Sequence, residues 1–206
     1  MRTLVKICGI TSVADAVAAR ESGADAIGLV FYEPSSRAIQ APLATQICHA
    51  VGPFVTTVGL FVNEEADVIR TVLATTPLQV LQFHGDETAE FCEQFQRPYL
   101  KAVRVQSSRD VETAFADHPR AIGILLDTYV KGVAGGTGRR FNWSLIPEDL
   151  RSKCIVAGGL TPENVSEAVQ SIRPLGVDVS GGVEASPGVK DPKAMARFCK
   201  ASELLK

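Results

Sequence analysis

The apolar run Ile122-Gly123-Ile124-Leu125-Leu126-Asp127-Thr128 has the length of a strand and ends in a carboxyl group. A strand this uniformly apolar is typical of a parallel sheet covered on both faces. A second run, Leu4-Val5-Lys6-Ile7-Cys8-Gly9, ends in a thiol. If both are strands of one parallel barrel, the two groups face the same mouth. With no set of metal ligands in view, this pair predicts proton-transfer chemistry on a small molecule.

Short runs of this kind recur along the chain and alternate with segments of helical pattern. We predict eight strands, whose starts are about 25 residues apart, as a small (β/α)8 barrel requires. They cover residues 3–8, 25–30, 54–61, 78–83, 99–104, 122–127, 153–157 and 175–179. The prediction is therefore an α/β fold, a single-domain TIM barrel over residues 1–206. A doubly wound open sheet is the rival, and the lack of a G-x-G-x-x-G motif after the first strand disfavours it.

Helix signals lie between these strands. Thr11 or Ser12 is the predicted N-cap of a helix over 13–21, and further helices are predicted over 64–73, 88–95 and 109–115. Pro162, behind Thr161, is expected to open the seventh helix. Asp191-Pro192 is expected to open the last helix, with its end near Leu205.

Composition excludes several classes of protein. The chain of 206 residues is 46% hydrophobic and 21% charged, with a formal net charge of −2. This balance does not suggest that the protein binds nucleic acid or a membrane surface. No apolar run approaches the roughly 20 residues that span a bilayer, and the first residues lack the pattern of a secretory signal. Five scattered cysteines without a C-x-x-C pair indicate free thiols in a reducing cytoplasm and no metal site.

Two residues are the catalytic candidates. Cys8 closes its strand, and Lys6 leaves the same face two residues earlier, so its ammonium is expected to lower the thiol pKa and favour a thiolate base. The alternative is that Lys6 only pairs with a carboxylate inside the barrel. Asp127 is costly to bury without a partner, which suggests a general acid, although an N-cap or turn aspartate would look the same.

The binding candidates lie in loops and turns that follow the strands. Arg37, in the long loop after the second strand, has the planar fork that grips a carboxylate. Glycine-rich turns follow strands seven and eight, where barrel enzymes often bind phosphate. Their candidate residues are Gly158, Gly159, Asp178, Ser180, Gly181 and Gly182, and Gln82 and His84 are supporting candidates at the end of strand four. Glycines within 128–138 are candidate hinges of a lid.

Segments over nearly the whole sequence match one known family. They are Lys6-Ile7-Cys8-Gly9-Ile10-Thr11, residues 28–32, 36–37, 58–63, 82–85, 126–128, 135–138, 141–143 and 157–160, and Asp178-Val179-Ser180-Gly181-Gly182-Val183-Glu184. On these segments the chain resembles the phosphoribosylanthranilate isomerases of tryptophan biosynthesis. One departure is Gly181, where many members carry a second serine, so a hydroxyl contact to phosphate would be lost while the backbone donor would stay.

The resemblance implies a (β/α)8 barrel that uses neither cofactor nor metal and acts on a small phosphorylated substrate. It implies an Amadori rearrangement of N-(5-phosphoribosyl)anthranilate, with Cys8 as general base and Asp127 as general acid. By the same resemblance, Arg37 would hold the anthranilate carboxylate and the two glycine turns the phosphate. Two other functions stay open: the related aminoaldose isomerase of histidine biosynthesis, and a non-catalytic barrel that binds a phosphometabolite. The sequence also leaves open a monomer or a homodimer.

Overall fold

A closed barrel of eight parallel strands forms the centre of the protein. In a computed structural model, the structure describes residues 2–128 and 142–203. Each strand pairs with the next along the chain, and the eighth pairs with the first. The strands are β1 (Leu4–Cys8), β2 (Ala26–Val30), β3 (Thr56–Phe61), β4 (Val80–Phe83), β5 (Tyr99–Val105), β6 (Gly123–Thr128), β7 (Cys154–Val156) and β8 (Gly176–Val179). The predicted TIM barrel is confirmed, and each strand lies within two residues of its predicted limits.

Helices connect the strands around the outside of the barrel. Among the described residues these are α1 (Val13–Glu21), α2 (Ala41–Val51), α3 (Ala66–Thr75), α4 (Ala89–Glu93), α5 (Ser108–Asp117), α6 (Val165–Ile172) and α7 (Pro192–Ala201). Ser12, rather than Thr11, caps α1 through a hydrogen bond from the Asp15 amide at 3.0 Å. Asp191 caps α7 as predicted, but the predicted end near Leu205 is wrong, because the helix ends at Ala201 with Ser202 as its C-cap.

The start of α6 corrects a prediction. The helix begins at Val165 and not at Pro162. Asn164 explains the delay, because its side chain accepts a hydrogen bond from the Thr161 amide and donates one to the Gly159 carbonyl, each at 2.9 Å. These bonds fold residues 161–164 into a turn that competes with helix formation.

Two of the predicted β-then-α units depart from the simple pattern. After β6 the described residues form two 3-10 helices, Trp143–Leu145 and Glu148–Lys153, instead of an α-helix. Pro147 lies between the two. After β8 come a 3-10 helix, Gly181–Val183, and an unpredicted antiparallel hairpin of β9 (Glu184–Ser186) and β10 (Val189–Lys190). This hairpin lies at the carboxyl ends of the strands.

The strands are buried on both faces, as their composition predicts. Their outward side chains join the helices in the main core, and inward side chains fill the barrel. One interior layer contains Val58, Val80 and Leu100, and another contains Ala102, Leu125 and Ala157. Within the parts of the chain described here, no helix has both the length and the apolar character to cross a membrane.

Candidate active site

A cavity of about 720 Å³ opens at the carboxyl ends of the strands. Such a volume is typical of sites for small molecules. Its lining brings together eleven predicted site residues: Cys8, Arg37, Gln82, His84, Asp127, Gly158, Gly159, Asp178, Ser180, Gly181 and Gly182. The remaining one, Lys6, lies just beneath it and contacts Asp178. Groups from β1, β4, β6 and β8 therefore converge on one opening.

The thiol of Cys8 lies in a buried charged environment. The Lys6 ammonium donates to Asp178 at 2.7 Å. The ion pair considered as the alternative role of Lys6 is therefore present, in addition to the contact between Lys6 and the Cys8 thiol. Burial opposes the charge on Lys6, but Asp178 and Cys8 outweigh it and raise the Lys6 pKa, which keeps the ammonium protonated. Burial likewise raises the pKa of Cys8, and Lys6 only partly offsets this. The predicted net lowering of the Cys8 pKa is therefore wrong, because desolvation, with the Asp178 charge, exceeds the attraction of Lys6 and Lys190.

Gly28 makes room for the thiol. It is the register partner of Cys8 on β2. A Cβ at Gly28 would lie 2.6 Å from the Cys8 sulfur, closer than packed atoms approach, and 3.1 Å from the Lys6 nitrogen, which is a tight contact. Because Gly28 has no side chain, the sulfur of Cys8 and the ammonium of Lys6 can occupy the space beside β2.

The carboxyl group of Asp127 is placed by its neighbours. One oxygen accepts the Thr128 amide at 2.7 Å, and the other lies 3.2 Å from His84 Nε2 without the alignment of a hydrogen bond. Gln82 Nε2 lies 3.2 Å from the other ring nitrogen of His84. A Cβ at Gly158 would come within 2.9 Å of Asp127 Oδ1. The carboxyl therefore lies between an imidazole and a glycine turn, at the edge of the cavity.

Arg37 is held in a network that the sequence did not reveal. Its Nε and Nη2 donate to the two carboxylate oxygens of Glu184 at 2.7 and 2.8 Å. Lys190 donates to the same carboxylate at 2.8 Å. The hydrogen bond to Glu184 raises the pKa of Arg37, which stays charged. Glu184 stands in a motif quoted above, but its partner is 147 residues away, so no local signal connects the two.

The two glycine turns need glycine for different reasons. Gly158 and Gly159 have φ of 78° and 65°, in the left-handed region that side chains disfavour. At Gly182 a Cβ would overlap the carbonyl oxygen of Leu160, so the turns after β7 and β8 touch. The backbone of both turns consequently lines the cavity without side chains in between.

A second cavity, of about 810 Å³, lies beside the first over the ends of β4 and β5 and shares Val62 and His84 with it. It contains neither Cys8 nor Asp127. Its buried ion pair, Lys101 with Glu87 at 2.8 Å, is internally satisfied. Although larger, this cavity lacks the acid, the base and the glycine turns. In the described part of the chain, no cluster of side chains suited to a metal ion is found.

Fold and site define a (β/α)8-barrel protein with paired ionisable groups at the carboxyl ends of its strands. The family model of N-(5′-phosphoribosyl)anthranilate isomerase matches residues 5–201. The chain is 56% identical over 197 residues to the N-(5′-phosphoribosyl)anthranilate isomerase of Pseudomonas aeruginosa (strain LESB58), covering 96% of this chain and 93% of the relative. The chain therefore belongs to this family, which confirms the resemblance seen in the sequence.

Solved structures agree with this assignment. One is a phosphoribosyl anthranilate isomerase in complex with reduced 1-(o-carboxyphenylamino)-1-deoxyribulose 5-phosphate, with a TM-score of 0.85, 42% identity and coverage of 97% of this chain and 98% of that one. Another is a dimeric phosphoribosylanthranilate isomerase from Thermotoga maritima, solved as monomers, with a TM-score of 0.84, 40% identity and the same coverage.

Proposed function

We propose that the protein converts N-(5-phosphoribosyl)anthranilate to 1-(2-carboxyphenylamino)-1-deoxyribulose 5-phosphate, an aldose–ketose isomerisation in tryptophan biosynthesis. Family membership supports the reaction. The observation that carries the mechanism is that Cys8 and Asp127 line one cavity beside two glycine turns. A thiol and a carboxyl across one opening are the base and acid that this rearrangement needs.

The two ends of the substrate are anchored on different sides of the cavity. The anthranilate carboxylate is placed against Arg37, whose Nη1 makes no hydrogen bond to the described residues. The phosphate is placed against the backbone of Gly158-Gly159 and Ser180-Gly181-Gly182, which approach without side-chain obstruction. Anchoring both ends orients the sugar between Cys8 and Asp127.

Asp127 acts first, as the general acid. It transfers its proton to the ring oxygen of the ribose, and the bond from C1′ to that oxygen breaks. The nitrogen lone pair forms a double bond to C1′, which gives an open-chain protonated Schiff base. His84, near the carboxyl, is a supporting residue in this step.

Cys8 acts second, as the general base. Its thiolate removes the proton from C2′, and the electron pair of that bond moves through C1′ to the positive nitrogen. The resulting enolamine tautomerises to the ketone. Burial raises the pKa of Cys8, so the neighbouring Lys6 ammonium supports the thiolate form against desolvation. Asp178 keeps that ammonium in place.

Removal of the acid or the base tests this mechanism. We expect Cys8→Ala and Asp127→Ala to fold and to lose about 10²–10⁴ in kcat, because each removes one proton-transfer group. The assay follows the loss of substrate fluorescence. Two controls are Cys199→Ala, which removes a buried thiol of α7, and Asp67→Asn, which changes an exposed carboxylate of α3. Near-normal turnover in both site variants would contradict the mechanism.

The same assay separates the alternative functions. Conversion of the aminoaldose phosphate of histidine biosynthesis instead would indicate the sister isomerase. Tight binding of the anthranilate substrate without conversion would indicate a non-catalytic barrel. Conversion by the wild-type protein, lost in Cys8→Ala, supports the proposed function.

A cytoplasmic location belongs to the same proposal, because all five cysteines are free and buried, as expected in a reducing compartment. A monomer and a homodimer are both compatible with these observations, and the Thermotoga maritima relative is described as dimeric. Sedimentation equilibrium distinguishes the 22.0 kDa chain from twice that mass.

A further inference from the structure

Arg37 does not stand alone at the cavity but forms part of a buried cluster of three charges. Glu184 bridges Arg37 and Lys190, with donor–acceptor distances of 2.7 to 2.8 Å. The side chain of Glu184 is 5% exposed, that of Lys190 is fully buried, and that of Arg37 is 19% exposed. Two cations share one carboxylate, so the cluster keeps a positive charge beside the cavity.

Both carboxylate oxygens of Glu184 accept hydrogen bonds from the guanidinium of Arg37. Bidentate pairing of this kind fixes the plane of the arginine fork, in addition to its position. The stem of Arg37 lies across Gly9, where a Cβ would come within 2.5 Å of Arg37 Cδ. The guanidinium is thus fixed through Nε and Nη2, while Nη1 makes no hydrogen bond within residues 2–128 and 142–203 and can face a ligand.

Lys190 connects this cluster to the turn after β8. Its ammonium lies 3.2 Å from the carbonyl oxygen of Ser180 and 3.5 Å from the Ser180 hydroxyl. Glu184 and Lys190 face each other across the β9–β10 hairpin, where they are register partners. One hairpin therefore joins the loop that carries Arg37 to the turn that contributes Ser180.

The electrostatics of Glu184 are consistent with a well-defined buried ion cluster. Burial alone would raise the pKa of Glu184, but hydrogen bonds from Arg37 and Lys190 outweigh it and lower that pKa, so the carboxylate is charged. A buried carboxylate between two cations, each hydrogen-bonded, has a defined geometry that a solvated ion pair lacks. Neither Glu184 nor Lys190 is among the residues that line the cavity.

We propose that Glu184 and Lys190 are positioning residues, which act through Arg37 and the Ser180 turn to set the distance and angle between the two ends of the substrate site. Glu184 orients the guanidinium toward the substrate carboxylate, and Lys190 ties that orientation to the phosphate turn. This inference rests on the proposed function, because it takes the substrate to be an anion at both ends.

The test compares Glu184→Gln, Arg37→Ala and the double variant in steady-state kinetics. Because Arg37 contributes mainly to binding, we expect Glu184→Gln to raise KM about tenfold and to change kcat less than about threefold. The double variant should be no worse than Arg37→Ala, since both changes disable one unit. Glu163→Gln, which removes a carboxylate from an exposed pair with Arg197, is the matched control and should leave KM unchanged.

A second variant covers the case in which Glu184→Gln fails to fold. Glu184→Asp keeps the negative charge between the two cations and shortens the side chain by one methylene, so we expect a KM at least about threefold higher in a folded protein. An unchanged KM in the folded variants, or effects of Glu184→Gln and Arg37→Ala that add in full, would overturn the inference. If the wild-type protein does not convert the substrate, the proposed function fails and this inference falls with it.

Discussion

Lys6 connects the fold and the chemistry at the scale of one residue. The same ammonium pairs with Asp178 inside the barrel and lowers the pKa of Cys8 against the effect of burial. The two interpretations that the sequence leaves open, a structural ion pair and support for a base, are therefore compatible in one side chain. Both roles need a charged side chain, and the neighbouring Asp178 and Cys8 raise the pKa of Lys6 despite its burial.

The pH dependence of activity tests this double role. Since the ammonium lowers the pKa of Cys8 against the effect of burial, Lys6→Gln should raise that pKa further. The acidic limb of kcat/KM against pH should then move to higher pH by about one unit, as expected for loss of a neighbouring charge. Glutamine retains a donor for Asp178. Lys193→Gln, on the exposed start of α7, should leave the profile in place, and an unmoved limb in Lys6→Gln would contradict the role.

The candidate acid and base could be predicted from the sequence because both are unusual groups at the ends of apolar strands. Glu184 and Lys190 could not be predicted in the same way. Their burial depends on a hairpin that departs from the simple β-then-α pattern, and their partner Arg37 lies in a distant loop. The direction of the Cys8 pKa also depends on burial, which a sequence does not report.

At the scale of the element, the strands were predicted closely and the helix starts less so. A parallel strand buried on both faces leaves a continuous apolar run, which is a strong local signal. A helix start is decided by competing hydrogen bonds, as at Asn164, where a turn delays α6 past Pro162. The prediction of lid hinges in 128–138 concerns residues that, after Thr128, lie outside the described part of the chain.

The cap of α7 gives a prediction at this scale. Asp191 accepts hydrogen bonds from the amides of Lys193 and Ala194 at 2.8 and 3.3 Å. Asp191→Ala should lower the free energy of unfolding by about 1 kcal/mol, because it leaves these amides unpaired. Glu65→Ala is the control, since Glu65 occupies the N-cap position of α3 without a side-chain bond there. Equal losses in urea denaturation would contradict the explanation.

At the scale of the whole molecule, a buried ion pair joins two successive loops of the barrel to the strand that follows them. The carboxylate of Glu87 accepts the amides of Asn63 and Gly85 at 2.7 and 2.9 Å and the ammonium of Lys101 at 2.8 Å. The loops after β3 and β4 are thereby fastened to β5. This network lies outside the cavity that contains Cys8 and Asp127, and its hydrogen bonds are expected to stabilise the barrel rim.

Breaking this pair should be costly. Lys101→Met leaves the Glu87 charge buried without its cation, and we expect the free energy of unfolding to fall by about 3–5 kcal/mol. Arg120→Met breaks a surface pair with Glu93, in which the arginine is 78% exposed, and should cost less than about 1 kcal/mol. Chemical denaturation of both variants measures the difference. Similar losses of unfolding free energy in the two variants would contradict the prediction.

The glycine at position 28 has a consequence for protein engineering. Grafting this candidate base onto a different barrel would require changes on more than one strand. The cysteine needs a residue without a side chain beside it on the neighbouring strand. Transplanting cysteine and lysine alone would force the new sulfur against a foreign side chain. The smallest portable form of this candidate base is therefore a set on adjacent strands: Lys6 and Cys8, Gly28 beside them, and Asp178, which holds the ammonium.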